Sequence, residues 1–177
     1  MSWEEQLFSV LDDLEQQAEA LYDAERDLEL ADRSRSEYAQ VSLASRLMAS
    51  VDADLVVEVR GVGRIAGNLQ RVGTGWCLLH GARQDWILRM EAITVVHGAS
   101  ARSVPEVAWS PVTRLGLGSA LRRLAEAGER CLVHLVDGGR HEVVLTRVGQ
   151  DFLEATTDGS RPVLVAFSGL AAVQNRG

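Results

Sequence analysis

The residues of this sequence that could carry out chemistry are two cysteines, four histidines and a set of acidic side chains. Cys131 and His134 lie three apart on a predicted strand, so they point to opposite faces and cannot share a metal ion. No Cys-x-x-Cys, His-Glu-x-x-His, Gly-x-Ser-x-Gly or Gly-x-x-x-x-Gly-Lys pattern occurs. The acidic residues concentrate on one long predicted helix, which offers no enclosed pocket to activate them. We therefore predict that the protein is not an enzyme and has no catalytic residue, metal site or cofactor.

Arginine is the other candidate, because all 18 positively charged residues are arginine and none is lysine. The planar guanidinium suits phosphate and carboxylate, although codon usage in a GC-rich genome would explain the same bias. Some arginines recur at matching positions, which indicates a shared ligand role, shared structural ion pairs or the ancestry of a duplication. A tryptophan and a histidine beside strands could stack on a base or contact a phosphate. The candidate ligand or nucleic-acid contacts are Arg64, Arg71, Trp86, His97, Arg140 and Arg147.

The elements that must position these residues occur twice. Leu69–Trp76 reads Leu-Gln-Arg-Val-Gly-Thr-Gly-Trp, and Leu145–Phe152 reads Leu-Thr-Arg-Val-Gly-Gln-Asp-Phe, 76 residues later. The same offset places Arg64 on Arg140 and apolar strand residues on one another. A self-match of this kind indicates a duplicated structural unit. The aligned pairs that differ include His80 and Thr156, Trp86 and Pro162, His97 and Gln174, His134 and Glu58, and His141 and Ile65.

Changes of pattern divide the chain into four parts. An acidic helix over 1–35 precedes a first unit over 36–98, a linker over 99–111 and a second unit over 112–177. Short alternating segments between glycine turns favour antiparallel strands. We therefore predict an α+β fold in which a long N-terminal helix precedes two tandem units, each a helix plus a five-stranded antiparallel barrel. The unit helices are predicted over about 36–50 and 112–127, and the strands begin near 55, 65, 76, 85 and 93 and again near 130, 140, 151, 161 and 170.

The N-terminal segment is predicted to be helical over about 3–32, because it lacks Gly and Pro and is rich in Glu, Gln, Ala and Leu. A joint is predicted at 32–36, where charged residues and serines break the apolar pattern. The leucines repeat with a period of 3.5, interrupted by Glu25, which favours a coiled-coil seam. Such a stripe must pack on a second copy, on a partner helix or on the protein's own barrels. The predicted self-association residues are Leu7, Leu11, Leu14, Leu21 and Leu28.

The net charge of −7 is unevenly distributed. Residues 1–40 hold 12 acidic residues and three arginines, whereas the remainder holds 13 acidic residues and 15 arginines. The acidic helix would repel a phosphate backbone, so nucleic acid is the less favoured partner. No signal-peptide pattern or apolar run of membrane-spanning length occurs, so we expect a cytoplasmic protein with no membrane partner. Cys77 and Cys131 align with leucines, which predicts buried, inert thiols.

The second unit carries the features of a known fold. Its pattern of residues comprises Val133-x-Leu135, Asp137-Gly138-Gly139, Leu145 and Arg147-Val148-Gly149. This pattern, with a helix before five short strands, resembles the Sm-like family of SH3-like small β-barrels. The resemblance implies two tandem Sm-like barrels, assembly into rings and binding of RNA.

The RNA-contacting residues of that family are not matched here. The family's Asp, Asn and Arg-Gly positions fall on Gly73 and Gly149, on Cys77 and Leu153, and on His97-Gly98 and Gln174-Asn175. We therefore favour a non-enzymatic interaction or scaffold protein that forms a homo-oligomer or binds a helical protein. An RNA- or DNA-binding regulator is the alternative. The duplication also predicts that the two units pair edge to edge within one chain.

Overall fold

The structure, a computed structural model, describes residues 3–158 and 161–176, with side-chain burial described over 14–158 and 161–175. Contacts divide the chain into two compact units, Met1–Val41 and Ser42–Gly177. We call the first the helical unit and the second the sheet unit. No helix in the described ranges is both long enough and apolar enough to cross a membrane.

The described part of the helical unit consists of one helix, α1, over Trp3–Tyr38, followed by a turn at 39–40. Its composition, rich in Glu, Ala and Leu without Gly or Pro, favours an uninterrupted helix. The joint predicted within this stretch is wrong. Arg35 pairs with Asp32 at 2.6 Å and Arg33 pairs with Glu37 at 3.1 Å, so these charged residues form ion pairs within a continuous helix.

Two short helices belong to the sheet unit: α2 over Leu43–Met48 and α3 over Leu117–Ala127. The helix α2 begins after Ser42, whose Oγ accepts a hydrogen bond from the Ser45 N–H. The helix α3 ends at Gly128, which adopts a left-handed conformation with φ +65°. Single turns of 3-10 helix cover Met90–Ala92, Glu106–Ala108 and Phe167–Gly169.

Ten antiparallel strands form one sheet. Alternation of buried and exposed residues along several of them explains why these segments extend rather than coil. The strands are β1 Asp54–Val59, β2 Gly63–Gly73, β3 Trp76–Gly81, β4 Gln84–Arg89, β5 Ile93–His97, β6 Arg130–Leu135, β7 Arg140–Val148, β8 Phe152–Thr156, β9 Pro162–Ala166 and β10 Leu170–Arg176.

The prediction of two tandem five-stranded barrels is wrong, because the strands form a single open sheet in the order β5-β1-β2-β3-β4-β10-β6-β7-β8-β9. The strand β4 pairs with β10 from Leu88↔Ala172 to Gln84↔Arg176, instead of with β5 of its own unit. The ladder therefore continues from one set of five strands into the other. This pairing also places the two predicted units edge to edge within one chain, as the duplication predicted.

The two halves of the sheet, β1–β5 and β6–β10, hydrogen-bond in the same internal order. Their irregularities coincide as well. The β2–β3 register shifts between Leu69 and Arg71, and the β7–β8 register shifts between Leu145 and Arg147, 76 residues later. Each bulge bends its strand at the same place along the half, so the halves share their curvature as well as their pairing.

Two apolar clusters lie on opposite faces of this sheet. The first cluster includes Leu47 of α2, and the second includes Leu121 of α3. At the junction strand β4, Trp86 belongs to the first cluster and Ile87 to the second. Because neighbouring strand residues point to opposite faces, β4 is covered on both sides, which fixes the junction between the halves.

Candidate functional site

The first candidate surface is the leucine stripe of α1. Leu14, Leu21 and Leu28 are spaced by seven residues and remain 54%, 68% and 64% exposed. Leu7 and Leu11 lie outside the residues whose side chains are described. Large apolar side chains at heptad spacing on a helix surface form the seam of a coiled coil when a second helix covers them. The geometry therefore presents a surface for another helix.

The second candidate is a pocket of about 400 Å³ in the sheet unit, which we call the junction pocket. It lies where β4, β10 and β6 meet, and residues at the start of β2 complete its wall. Arginines, carboxamides and one histidine surround a partly apolar interior. The lining residues are Val62, Arg64, Ile65, Ala66, Gly81, Ala82, Gln84, Trp86, Leu132, His134, Arg140 and Gln174.

A chain of polar side chains crosses the junction pocket. His134 Nε2 lies 3.0 Å from Gln174 Oε1, and Gln174 Nε2 donates to Gln84 Oε1. An amide oxygen only accepts hydrogen bonds, so Nε2 of His134 carries the proton. Each of these three residues comes from a different strand, because Gln84 lies on β4, Gln174 on β10 and His134 on β6. The pairing of β4 with β10 is therefore what brings the chain together.

His134 has an unusual environment for a histidine. It is 2% exposed, and its ring centroid lies 5.1 Å from that of Trp86. Its Nδ1 is buried without a hydrogen-bond partner in the described structure. Burial lowers the pKa of His134, the hydrogen bond with Gln174 opposes this shift, and the positive charge of Arg140 adds to it. Burial and the charge of Arg140 therefore both favour the neutral imidazole, in which Nδ1 is an acceptor without a partner.

The structure brings three of the sequence-predicted contact residues into this one pocket: Arg64, Trp86 and Arg140. Trp86 is 7% exposed, so it forms part of the pocket wall rather than an exposed contact surface. The guanidinium of Arg64 lies 3.8 Å from Glu58 at its Nε. The guanidinium of Arg140 makes no ion pair or hydrogen bond within the described ranges 3–158 and 161–176.

The other three predicted contact residues lie elsewhere. His97 Nε2 is 3.1 Å from Glu58 Oε1, on the edge strand β5. Arg147 Nη2 donates to both carboxylate oxygens of Glu154, at 2.9 and 3.2 Å. Arg71 lines a separate open groove of about 1000 Å³. The six candidates therefore do not form one site, and Arg147 and His97 already contact carboxylates.

The groove that contains Arg71 runs between α3 and the face of β3, β4 and β10 opposite to the junction pocket. Its floor is apolar, with Leu78 and Ile87 from the sheet and Leu124 from α3. At its side, His80 Nδ1 lies 2.6 Å from Asp85 Oδ1, and both side chains are half exposed. Its charges are mixed in sign, and its polar side chains do not converge as they do in the junction pocket.

Sequence reasoning missed His134, Gln84 and Gln174 as site residues. For two of them, His134 and Gln174, the alignment of the repeat contained a signal. His134 aligns with Glu58 and Gln174 aligns with His97, so both depart from the residue found in the other half. Residues that the two halves do not share converge at the junction, where the halves contact each other.

Neither cysteine contributes to a reactive site. Both are free and buried, and burial raises the pKa of Cys77 to about 12 and that of Cys131 to about 11. The thiolate, which is the reactive form, is thus suppressed. Within the described residues, no group of three or more His, Cys, Asp or Glu side chains is placed to hold a metal ion.

No protein-family model and no curated protein sequence matches this chain. The resemblance to the Sm-like family therefore stays a prediction from sequence pattern.

Proposed function

We propose that this protein is a non-enzymatic interaction protein that self-associates through α1, with the sheet unit as a rigid scaffold. The observation that carries the proposal is the exposure of Leu14, Leu21 and Leu28, each more than half in contact with solvent. Covering one such leucine with another apolar surface yields about 1.5–3 kcal/mol. A second copy of α1 supplies an identical stripe at matching spacing.

Charge sets the conditions of this association. The segment 1–40 carries a net charge of −9, from 12 acidic residues and three arginines, so two copies repel each other. Added salt screens exposed charges, and it therefore strengthens the contact between copies. This dependence is opposite to that of nucleic-acid binding, which weakens as salt rises.

The proposal is tested by light scattering on the full-length chain at low and high salt. We expect a mass above that of one chain, increasing with salt, and reduced to one chain by Leu21→Glu combined with Leu28→Glu. The matched control is Leu164→Glu, an exposed leucine on the edge strand β9 of the sheet. A monomer under all conditions would refute self-association, and dissociation by Leu164→Glu alone would assign it to the sheet edge instead.

Nucleic-acid binding is the second candidate, favoured by one observation: Arg64 and Arg140 line the same pocket. Titration of labelled RNA and duplex DNA at about 50 mM salt tests it, because phosphate contacts are strong there. Saturable binding that Arg64→Gln and Arg140→Gln abolish would support this candidate. Absence of binding would remove it and leave the interaction function unaffected.

A further inference from the structure

We infer that two copies of α1 pair in antiparallel orientation, so that Glu25 of one copy lies opposite Leu14 of the other. This inference rests on the proposed function and deepens it, because it states how the second copy covers the leucine stripe. The charged residues that interrupt the stripe and the distribution of charge along α1 both favour this orientation over a parallel one.

The stripe consists of two rows of exposed residues that alternate along α1. The first row is Leu14, Leu21, Leu28 and Arg35, and the second is Ala18, Glu25 and Asp32. Residues within a row are seven apart, and the rows are offset by four or three residues, as in the seam of a coiled coil. The first row is apolar up to its last residue, whereas the second carries carboxylates at two successive positions.

A parallel pair would place each row against itself. With the two copies in register, Glu25 would meet Glu25 and Asp32 would meet Asp32 in the seam. A shift of one heptad would still set Asp32 of one copy against Glu25 of the other. Like charges that face each other across a seam repel, so both parallel arrangements are disfavoured.

An antiparallel pair places each row against the other row. Among the registers that do so, the one with the greatest overlap of Trp3–Tyr38 sets Ala18 against Leu21 and Glu25 against Leu14. Each carboxylate of the second row then faces a leucine of the other copy instead of a second carboxylate. The antiparallel register therefore removes the repulsion that the seam itself would create.

The distribution of charge along α1 favours the same orientation. Residues 3–20 hold six acidic residues and no arginine, a charge of −6, whereas residues 21–38 hold six acidic residues and three arginines, a charge of −3. Antiparallel pairing sets each −6 segment beside a −3 segment, whereas parallel pairing sets the two −6 segments together. The repulsion between copies is therefore smaller in the antiparallel pair.

Antiparallel pairing also separates the points at which the two chains leave the helices. The sheet unit begins at Ser42, four residues after α1 ends at Tyr38. In the antiparallel pair the two copies of Tyr38 lie at opposite ends, about 55 Å apart along the axis. The helix pair is thus a spacer with one sheet unit attached to each end.

Double electron–electron resonance on the full-length protein tests the orientation, at the salt concentration that gives the highest mass. A nitroxide is attached at Ser34→Cys in one variant and at Ala20→Cys in another, because both positions are exposed. Cys77 and Cys131 are buried with suppressed thiolates, so they escape labelling. We expect about 45 Å between the two labels at position 34, and less than about 25 Å between those at position 20, near the centre of the pair.

Ala20→Cys is the matched control, because its labels lie close together in either orientation. Short distances at both positions would overturn the antiparallel orientation and leave self-association through α1 intact. A single-chain mass with no distance at either position would refute the proposed function and this inference with it. Long distances at both positions in a protein that still associates would overturn the inference as well, because α1 would then not pair about its centre.

A mixing experiment gives a second readout without a label. Glu25→Arg is mixed with the wild-type chain, and native mass spectrometry counts the mixed and unmixed pairs. In the antiparallel pair, residue 25 faces Leu14 in either chain, so we expect mixed pairs in random proportion. In a parallel pair, the substituted residue would face Glu25, and an excess of mixed pairs of about tenfold or more would overturn the inference.

Discussion

The two halves of the sheet follow the same plan but hold different side chains where they meet. Both have the same strand order and the same bulge, between Leu69 and Arg71 and between Leu145 and Arg147. At one equivalent position, however, the first half has the partly exposed Glu58 and the second has the buried His134. Shared residues build the sheet, whereas two residues that the halves do not share, His134 and Gln174, meet at the junction and line one pocket with the shared Arg64 and Arg140.

A second difference concerns the aromatic residue after the bulge. Trp76 begins β3 and Phe152 begins β8, and each ring lies against a glycine three residues earlier. Trp76 is buried, and its Nε1 donates to the Leu115 carbonyl at 2.8 Å, whereas Phe152 is only half buried. The same local motif is therefore tied by a hydrogen bond to the rest of the sheet unit in the first half, whereas its aromatic ring is partly exposed in the second.

The largest expected loss of stability comes from substitution of Gly61, where the two halves of the sheet are in close contact. Gly61 has φ +74°, and a Cβ built there would lie 2.2 Å from the Leu135 carbonyl oxygen of the other half. Gly61→Ala therefore combines left-handed strain with a backbone clash. We expect it to lower the free energy of unfolding by about 3 kcal/mol, measured by denaturant titration.

The matched control for this variant is Gly63→Ala. Gly63 has φ +98°, but no atom lies within 4 Å of the position of its added Cβ. Only backbone strain remains, so the loss should be about 1–2 kcal/mol. Equal losses at the two glycines would show that the contact of this turn with Leu135 contributes nothing to the junction.

The next largest expected loss of stability differs between the two glycine–aromatic pairs. A Cβ at Gly73 would lie 2.2 Å from Trp76 Nε1, and a Cβ at Gly149 would lie 2.4 Å from Phe152 Cε1. Gly73→Ala must displace a buried, hydrogen-bonded ring, which we expect to cost about 2–3 kcal/mol. Gly149→Ala displaces a half-buried ring that can move outward, for about 1 kcal/mol or less.

Thermal and denaturant unfolding of both glycine variants measures this difference. Retention of wild-type stability by Gly73→Ala would mean that the position of Trp76 is not constrained by its contact with Leu115. A larger loss at Gly149 than at Gly73 would reverse the comparison, and would place the more constrained aromatic residue in the second half.

The positions of the strands could be predicted from the sequence, because alternation and glycine turns are local signals. Strands predicted to begin near 65 and 85, for example, begin at Gly63 and Gln84. The closure of each half into a barrel was predicted wrongly. The local sequence pattern is the same whether β4 pairs with β5 of its own half or with β10. Only contacts between distant segments determine which strand pairs with β4.

The junction pocket could be predicted only in part. Arg64 and Arg140 were recognisable because they recur, and Trp86 because it does not. The partner of Trp86 was not recognisable, since His134 lies 48 residues later and meets it only through β10. A histidine aligned with a glutamate gives no indication of burial, which depends on the neighbouring strands and not on the residue itself.

The smallest expected effect concerns the two equivalent arginines, which face opposite kinds of neighbour. Arg64 faces the carboxylate of Glu58, whereas Arg140 faces the imidazole of His134 and helps to lower its pKa. Arg140→Gln removes a positive charge that opposes protonation, so we expect the pKa of His134 to rise toward its ordinary value. Histidine resonances followed across a pH titration measure this shift.

The same change affects stability in acid, with a sign that follows from linkage. The pKa of His134 is lower in the folded protein than in the unfolded chain, so the unfolded chain binds more protons. The free energy of unfolding therefore falls as pH drops from about 7 to about 5, and Arg140→Gln should reduce that fall. Arg64→Gln, which alters the arginine facing Glu58, should shift the His134 titration less. An equal shift from both variants would mean that the general charge of the pocket, and not the cross-strand neighbour, controls this histidine. The two equivalent arginines would then act in the same way. The halves would differ only in the residue that each arginine faces, Glu58 or His134.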